Sequence, residues 1–287
     1  MPTTIQIRQS QAITEPTLVI EPRNGLFHLD LHSIWMHREL LYFLVWRDLK
    51  VRYKQTAIGV AWAVLQPLIT MLIFTIIFGR FAKMPSDGLP YPVFAYCALL
   101  PWNYFATALN RCVASVVGDS NLISKVYFPR LLLPIVGTLS GIVDFSVSFF
   151  LLLGLVAWYE VKIAWWAMAA LPFFLLLALL TALAVGLWLS ALNVRYRDVG
   201  YTIPFLIQIW MFASPIVYSI SIVPEKYRLF YSLNPMVGVI EGFRWVLLGK
   251  TAPDFGAMAV SAAVVLLVLV SGSVFFRNME RTFADVV

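Results

Sequence analysis

Charge is scarce in this 287-residue chain: 13% of its residues are Asp, Glu, Lys or Arg, while 61% are hydrophobic. Soluble domains carry roughly 25% charged and about 45–50% apolar residues, so a free-standing soluble domain is excluded and a polytopic membrane protein is left. Cysteine is limited to Cys97 and Cys112. Both fall on one expected helix, roughly 22 Å apart at 1.5 Å per residue, too far to pair with each other. The histidines are limited to His28, His32 and His37. The first two are spaced for a metal, but only Asp30 and Glu39 stand near as further ligands, so no metal site is assigned. A GKT triplet at 249–251 lacks the glycine that a phosphate loop needs five positions earlier, because Arg244 stands there and no strand precedes it. If nucleotide drives this protein, a partner must bind it. No Ser/His/Asp set or carboxylate pair suggests hydrolysis, so no catalytic residue is assigned.

Long apolar runs, by contrast, abound. A helix crosses a bilayer with about 20 apolar residues, and six stretches qualify: 57–79, 92–117, 131–158, 164–192, 200–220 and 254–276. The expected fold is all-α. Residues 1–30 hold no run of signal-peptide character, so the N-terminus is expected to be retained and cytoplasmic. With six spans and both termini inside, Lys and Arg favour the cytoplasmic segments two to one, as the positive-inside tendency requires. The net charge of +6 then needs no nucleic acid to explain it.

Several shorter segments stand out. Residues 37–55 place Arg47, Lys50 and Lys54 on one helical face, with Arg52 beside them, and Leu41, Val45 and Leu49 on another. This is the pattern of an amphipathic helix lying along the cytoplasmic leaflet. In the first span Gln66 and Pro67 predict a bend whose freed carbonyl needs a partner. Asp144 falls in the middle of the third span, where a carboxylate calls for a partner or a wet surface. Residues 219–256 mix turns with short apolar pieces, and 234–249 carries Glu241 and Arg244 at i, i+3. That piece reads equally as a re-entrant element and as a surface helix on the outer side. Trp158, Tyr159, Trp165 and Trp166 flank a short outer loop as an interfacial belt. Trp62, Trp102, Tyr104, Trp188 and Trp210 fall inside spans, and packing is their ordinary role. Aromatic faces also stack on sugar rings, which makes these five candidates for a translocation pathway.

Three segments carry a family resemblance: RDLKVRYKQTAIGVAWAVLQP at 47–67, SNLISKVYFPR at 120–130 and NVRYRDVG at 193–200. In this order on a six-span pattern, they resemble the permeases of type-2 ABC transporters of the polysaccharide and O-antigen exporter class, from about residue 36 to the C-terminus. The resemblance implies a cytoplasmic extension over 1–36, an interface helix over 37–55 and a transmembrane domain over 56–287. It implies a homodimer in the inner membrane of a bacterium, working with two copies of an ATPase subunit that binds ATP and Mg, this chain holding no cofactor. The cargo it implies is a lipid-linked polysaccharide, O-antigen, capsule or teichoic acid. A coupling helix at about 119–128 would dock on the ATPase, and short gate helices would occupy 221–250, including Glu241 and Arg244.

The residues suit that assignment. Gly118 ends the preceding helix, and Asp119 or Ser120 can cap the next. Ser120 and Asn121 open it, and Leu122, Ile123, Val126 and Tyr127 form an apolar stripe. Pro129 stops the turn and can start the third span, while Lys125 and Arg130 are placed for headgroups or ATPase carboxylates. Arg195, Arg197 and Asp198 are expected to form a charge cluster joining the fourth and fifth spans. The same scaffold could export a drug, ion or lipid. An ATP-independent channel or secondary transporter would need intramembrane ion ligands, of which Asp144 is the single candidate.

Overall fold

The computed structural model describes residues 31–54, 61–163, 165–249, 254–280 and 283. Among these residues every regular element is helical: α1 (Leu31–Met36), α2 (Arg38–Lys54), α3 (Ala61–Phe74), α4 (Tyr91–Gly118), α5 (Ser120–Lys125), α6 (Leu132–Leu139), α7 (Ile142–Trp158), α8 (Leu171–Arg195), α9 (Asp198–Phe212), α10 (Glu225–Tyr231), α11 (Pro235–Leu248) and α12 (Phe255–Glu280). A π-helical stretch, Thr75–Phe81, prolongs α3, and a 3₁₀ turn, Trp165–Ala170, leads into α8.

Four helical segments are long and apolar enough to cross a membrane: Ala61–Phe81, Leu132–Trp158, Trp165–Arg195 and Phe255–Glu280. The two other expected spans differ for separate reasons. The 28 residues of α4 are long enough, but Asn103, Asn110 and Arg111 dilute their apolar character. These polar groups are tolerated because α4 is the central helix, with Val93–Leu99 entirely enclosed by protein. The 15 residues of α9 reach only about 22 Å, and irregular chain takes over from Ala213.

Close backbone approach holds the centre together. A Cβ on Gly186 of α8 would lie 2.3 Å from the Cys112 sulfur of α4, and one on Gly137 of α6 would lie 2.9 Å from the Arg111 backbone. Small residues at such crossings replace the hydrophobic drive that lipid cannot supply. One large core joins α4, α7, α8 and α11. At one end, a smaller cluster packs Val116, Val194 and Phe276 of α4, α8 and α12. Beside it, Leu44 of α2 packs on Phe128, Leu132, Leu133 and Val136.

Three expectations change in detail. The third span is not continuous: it breaks at Ser140–Gly141 into α6 and α7, which places Asp144 in the first turn of α7, where the helix dipole favours a negative charge. The helix at 119–128 is shorter than expected, ending at Lys125 with Val126 extended. Pro129 therefore does not stop it; its carbonyl accepts from Leu132 N at the start of α6 instead. And α11 is not a surface helix. Almost all of it is buried, its N-cap Asn234 accepts from Met236 N at 3.1 Å, and Gly249 closes it at φ 62 in the left-handed conformation that suits glycine.

The carbonyl freed by Pro67 has a partner. Proline leaves the carbonyl four residues back without its intrahelical donor, and Ser148 Oγ of α7 donates to that carbonyl, Ala63 O, at 3.0 Å.

Candidate functional site: a charged cavity between α2, α3, α4 and α7

The break between α6 and α7 aims the Asp144 carboxylate at two helices. The Arg52 guanidinium, near the end of α2, donates to Oδ2, and the Tyr53 hydroxyl donates to Oδ1. Arg111 of α4 donates to Oδ2 at 3.2 Å and to Ser140 Oγ at 3.0 Å. Two cations thus share one anion. Burial, then the hydrogen bond to Asp144, pushes the Tyr53 phenol up to about 12, so it stays protonated and donates throughout the physiological range.

These groups line one side of a cavity of about 670 Å³, and Trp62, Gln66, Asn103, Tyr104, Thr107 and Asn110 are among those on its other walls. About a quarter of each charged side chain stays accessible: 26% for Arg52, 25% for Arg111 and 24% for Asp144. Of the five aromatic pathway candidates, the structure brings only Trp62 and Tyr104 to this cavity. Trp102 is buried against Phe105, Trp188 stacks on Phe275 at 4.3 Å, and Trp210 packs on Phe105 and donates to Asn234 Oδ1 at 2.8 Å.

The short helix α5 lies at the end of the bundle where α2 and α12 meet α6. Leu122 and Ile123 turn inward to the α2–α6 cluster, leaving Asn121, Ser124, Lys125, Val126 and Tyr127 exposed, Tyr127 at 86%. Ser120 is half-buried at its start. Asp119 makes no side-chain cap; its carboxylate takes Arg47 Nη2 of α2 at 2.9 Å. That hydrogen bond, against partial desolvation, raises the Arg47 guanidinium further above its ordinary range. At the other end of the segment, Arg130 donates from its side chain to the Glu280 carbonyl and from its backbone N to the Glu280 carboxylate, fastening the loop to α12.

Lys50 and Lys54 are exposed on α2, together with Tyr42, Phe43 and Trp46. Arg195, Arg197 and Asp198 are all exposed and no ion pair joins them. Asn193, which was not singled out, makes the connection: its Oδ1 accepts from Gly200 N of α9 at 2.9 Å, and its Nδ2 donates to Val113 O of α4 at 3.1 Å. The signal for it was an amide among apolar residues on the inner side of a helix end. Glu241 and Arg244 do pair, at 3.0 Å, but inside the protein: Arg244 is fully enclosed, donates to Ile216 O at 3.0 Å, and lies over the Phe94 ring at 3.7 Å. Of the histidine cluster, His28 and Asp30 lie outside the described residues. Among the described residues no group of three or more His, Cys, Asp or Glu could hold a metal ion.

The helices enclose a polar cavity against the central helix and carry a short, exposed helix fastened at both flanks. The chain belongs to the ABC-2 type transporter family, whose profile matches residues 39–248. It is 29% identical over 260 residues to the O-antigen export system permease protein RfbA of Myxococcus xanthus, covering 89% of this chain and 98% of that protein. It is 24% identical to the protein of the same name from Klebsiella pneumoniae, covering 86% and 95%. It is 23% identical to the polysialic acid transport protein KpsM of Escherichia coli, covering 82% and 91%.

Proposed function

We propose that this chain is the membrane subunit of an ATP-driven exporter that carries a lipid-linked polysaccharide, O-antigen before capsule or teichoic acid, across the inner membrane of a bacterium. The observation that carries the reading is the match to polysaccharide-export permeases over nearly their whole length. In this reading α4 and α9 complete a set of six spans, both termini are cytoplasmic, two copies form the channel, and two ATPase subunits bind nucleotide. Residues 37–54 lie along the cytoplasmic leaflet, and α10 with α11 forms the outer gate.

The geometry supplies a route for coupling. An ATPase docked on the exposed side of α5, on Asn121, Lys125 and Tyr127, would move a segment with two fixed links. One runs through Asp119 to Arg47 and along α2 to Arg52, about 7.5 Å further on, and so to Asp144 at the cavity. The other runs through Arg130 to the end of α12. Displacement of α5 therefore pulls on the cavity wall and on the last span together.

Co-purification with any ABC ATPase encoded beside this chain tests the reading. The tagged chain is expected to capture that ATPase, and Lys125→Glu with Tyr127→Ala is expected to release it and stop export without reducing the amount of chain in the membrane. Failure to capture any ATPase, with export unaffected by the double variant, would overturn it.

A further inference from the structure

We propose that Asp87 is a positioning residue for transport: with Ser219 and Ser221 it forms a clasp, at the end of the bundle opposite α5, that opens and closes again in each export cycle. The clasp's geometry stands by itself, while its part in export rests on the export reading.

The clasp joins two connections far apart in sequence. Loop 82–90 runs from the π-helical end of α3 to the start of α4, and residues 213–224 run from the end of α9 to α10. The Ser219 hydroxyl donates to Asp87 Oδ2, and the Ser221 hydroxyl donates to Oδ1 at 3.0 Å. Both carboxylate oxygens are thus used, each in a charge-assisted bond. Ser219 Oγ also accepts from Ser221 N at 3.2 Å, capping the 3₁₀ turn Ile220–Ile222. One hydroxyl therefore shapes the turn and presents it to the loop.

Exposure separates this contact from its neighbours. The chain just before it is held by groups from the interior: Asn234 Nδ2 donates to Ser214 Oγ at 3.0 Å, Arg244 to Ile216 O at 3.0 Å, and the Tyr91 hydroxyl to Val217 O at 2.8 Å. Those bonds fix residues 214–217 to α11 and to the start of α4. Asp87 and Ser221, by contrast, are exposed, so water replaces their bonds at small cost when they part. The fixed stretch is a pivot, and the clasp is its releasable end.

The loop side is built to give way. Asp87 and Gly88 follow one another at φ 52 and 78, and Lys83 stands at φ 47, a left-handed conformation that residues other than glycine hold where their surroundings impose it. The loop leaves α3 through Thr75–Phe81, and π-helical stretches of this kind are rare and recur at functional sites. Gly79 in that stretch rests on the Tyr91 ring, where a Cβ would lie 2.9 Å from Cγ. The end of α3 therefore touches the side chain that holds Val217. At this end α3 and the chain leaving α9 are linked through Tyr91 and through the clasp, and the clasp is the link open to solvent.

The test uses the full-length chain in cells that depend on it for export. Asp87→Cys with Ser221→Cys is bridged by a short thiol-to-thiol reagent that a reductant cleaves; the native Cys97 and Cys112 are buried and do not compete. The bridge is expected to form in the resting chain, to lower export at least about tenfold, as a blocked conformational step does, and to restore it on reduction. A contact with a merely structural role tolerates being held closed. Asp87→Gly keeps the left-handed backbone and removes the carboxylate. It is expected to raise hydrogen exchange at Ser221 about tenfold, the scale of one charge-assisted hydrogen bond, and to cut export severalfold with the amount of chain in the membrane unchanged. Asp87→Asn keeps an acceptor and is expected to do less.

Export unaffected by the bridge overturns the proposal, as does failure of the bridge to form when each single cysteine reacts with the reagent. Should the cysteine pair stop export before it is bridged, Asp87→Gly decides. Raised exchange with reduced export then supports the clasp, and raised exchange with unchanged export overturns it. Failure to capture any ATPase overturns the export reading and with it the clasp's part in export. A captured ATPase, with export indifferent to the bridge, overturns this inference alone.

Discussion

Two arginine sites in this protein are built to opposite specifications. Arg244 on α11 has no exposed surface and is held by Glu241, two backbone carbonyls and the face of Phe94. Arg52 and Arg111 share a single carboxylate and keep a quarter of their surface open to a cavity. The first surrounds one cation with fixed partners from its own chain, which gives it a unique position and leaves no room for a ligand. The second gathers two guanidiniums at one carboxylate oxygen and leaves the groups reachable. A buried charge pair is weak evidence of net stability, but removing one partner of such a pair is strongly destabilising. The enclosed site should therefore respond to mutation mainly in stability, and the open one mainly in binding and transport.

The largest effect is expected at the enclosed site. Arg244→Met strands the Glu241 carboxylate and two carbonyls inside the core, at a cost of about 3–5 kcal/mol, read as loss of folded protein in detergent unfolding curves. Adding Glu241→Gln should restore a good part of it. Equal stability of the single variant and the parent would show that Arg244 is hydrated after all and would erase the contrast.

Asp144→Ala comes next. It leaves two partly accessible guanidiniums facing each other, and a cost of about 1–3 kcal/mol is expected because solvent in the cavity takes over part of the lost bonding. Hydrogen exchange should rise in residues 47–54, where Arg52 and Tyr53 anchor α2. A loss as large as that at Arg244 would mean that the cavity site is as structural as the enclosed one.

How far these sites could be read from sequence follows from the distance over which each is assembled. The i, i+3 pairing of Glu241 with Arg244 is local and was legible, although the depth of its burial was not, since that depends on α4 supplying Phe94. Asp144 was recognisable as a residue in need of partners. Its partners lie 92 and 33 positions away, and Arg52 looked like one more headgroup-facing cation on an amphipathic helix. The Ser140–Gly141 pair is the kind of site where helices kink, and it carried the one local hint that the third span would break. Run length picked out α4 together with the four most apolar helices, although it holds Asn103, Asn110 and Arg111; a helix surrounded by protein can carry such groups at less cost than one facing lipid. The charged triplet Arg195, Arg197 and Asp198 drew notice for its charge, while the connection between α8 and α9 is made by a neutral amide, Asn193.

The smallest effect lies on the cavity wall. Ser148→Ala removes the donor to Ala63 O, leaving the carbonyl opposite Pro67 without a partner, and should cost about 1 kcal/mol. The double variant Pro67→Ala with Ser148→Ala restores an intrahelical N–H in place of the hydroxyl, so it should recover that loss in an unfolding titration. The two variants then separate local bonding from the shape of the cavity. If Pro67 shapes the wall of the open site, the double variant will be as stable as the parent and yet export less well, because Trp62 and Gln66 on α3 line that cavity with Arg52 and Arg111. If export recovers together with stability, the proline is a packing feature, and the open site owes its form to Asp144 and the α6–α7 break.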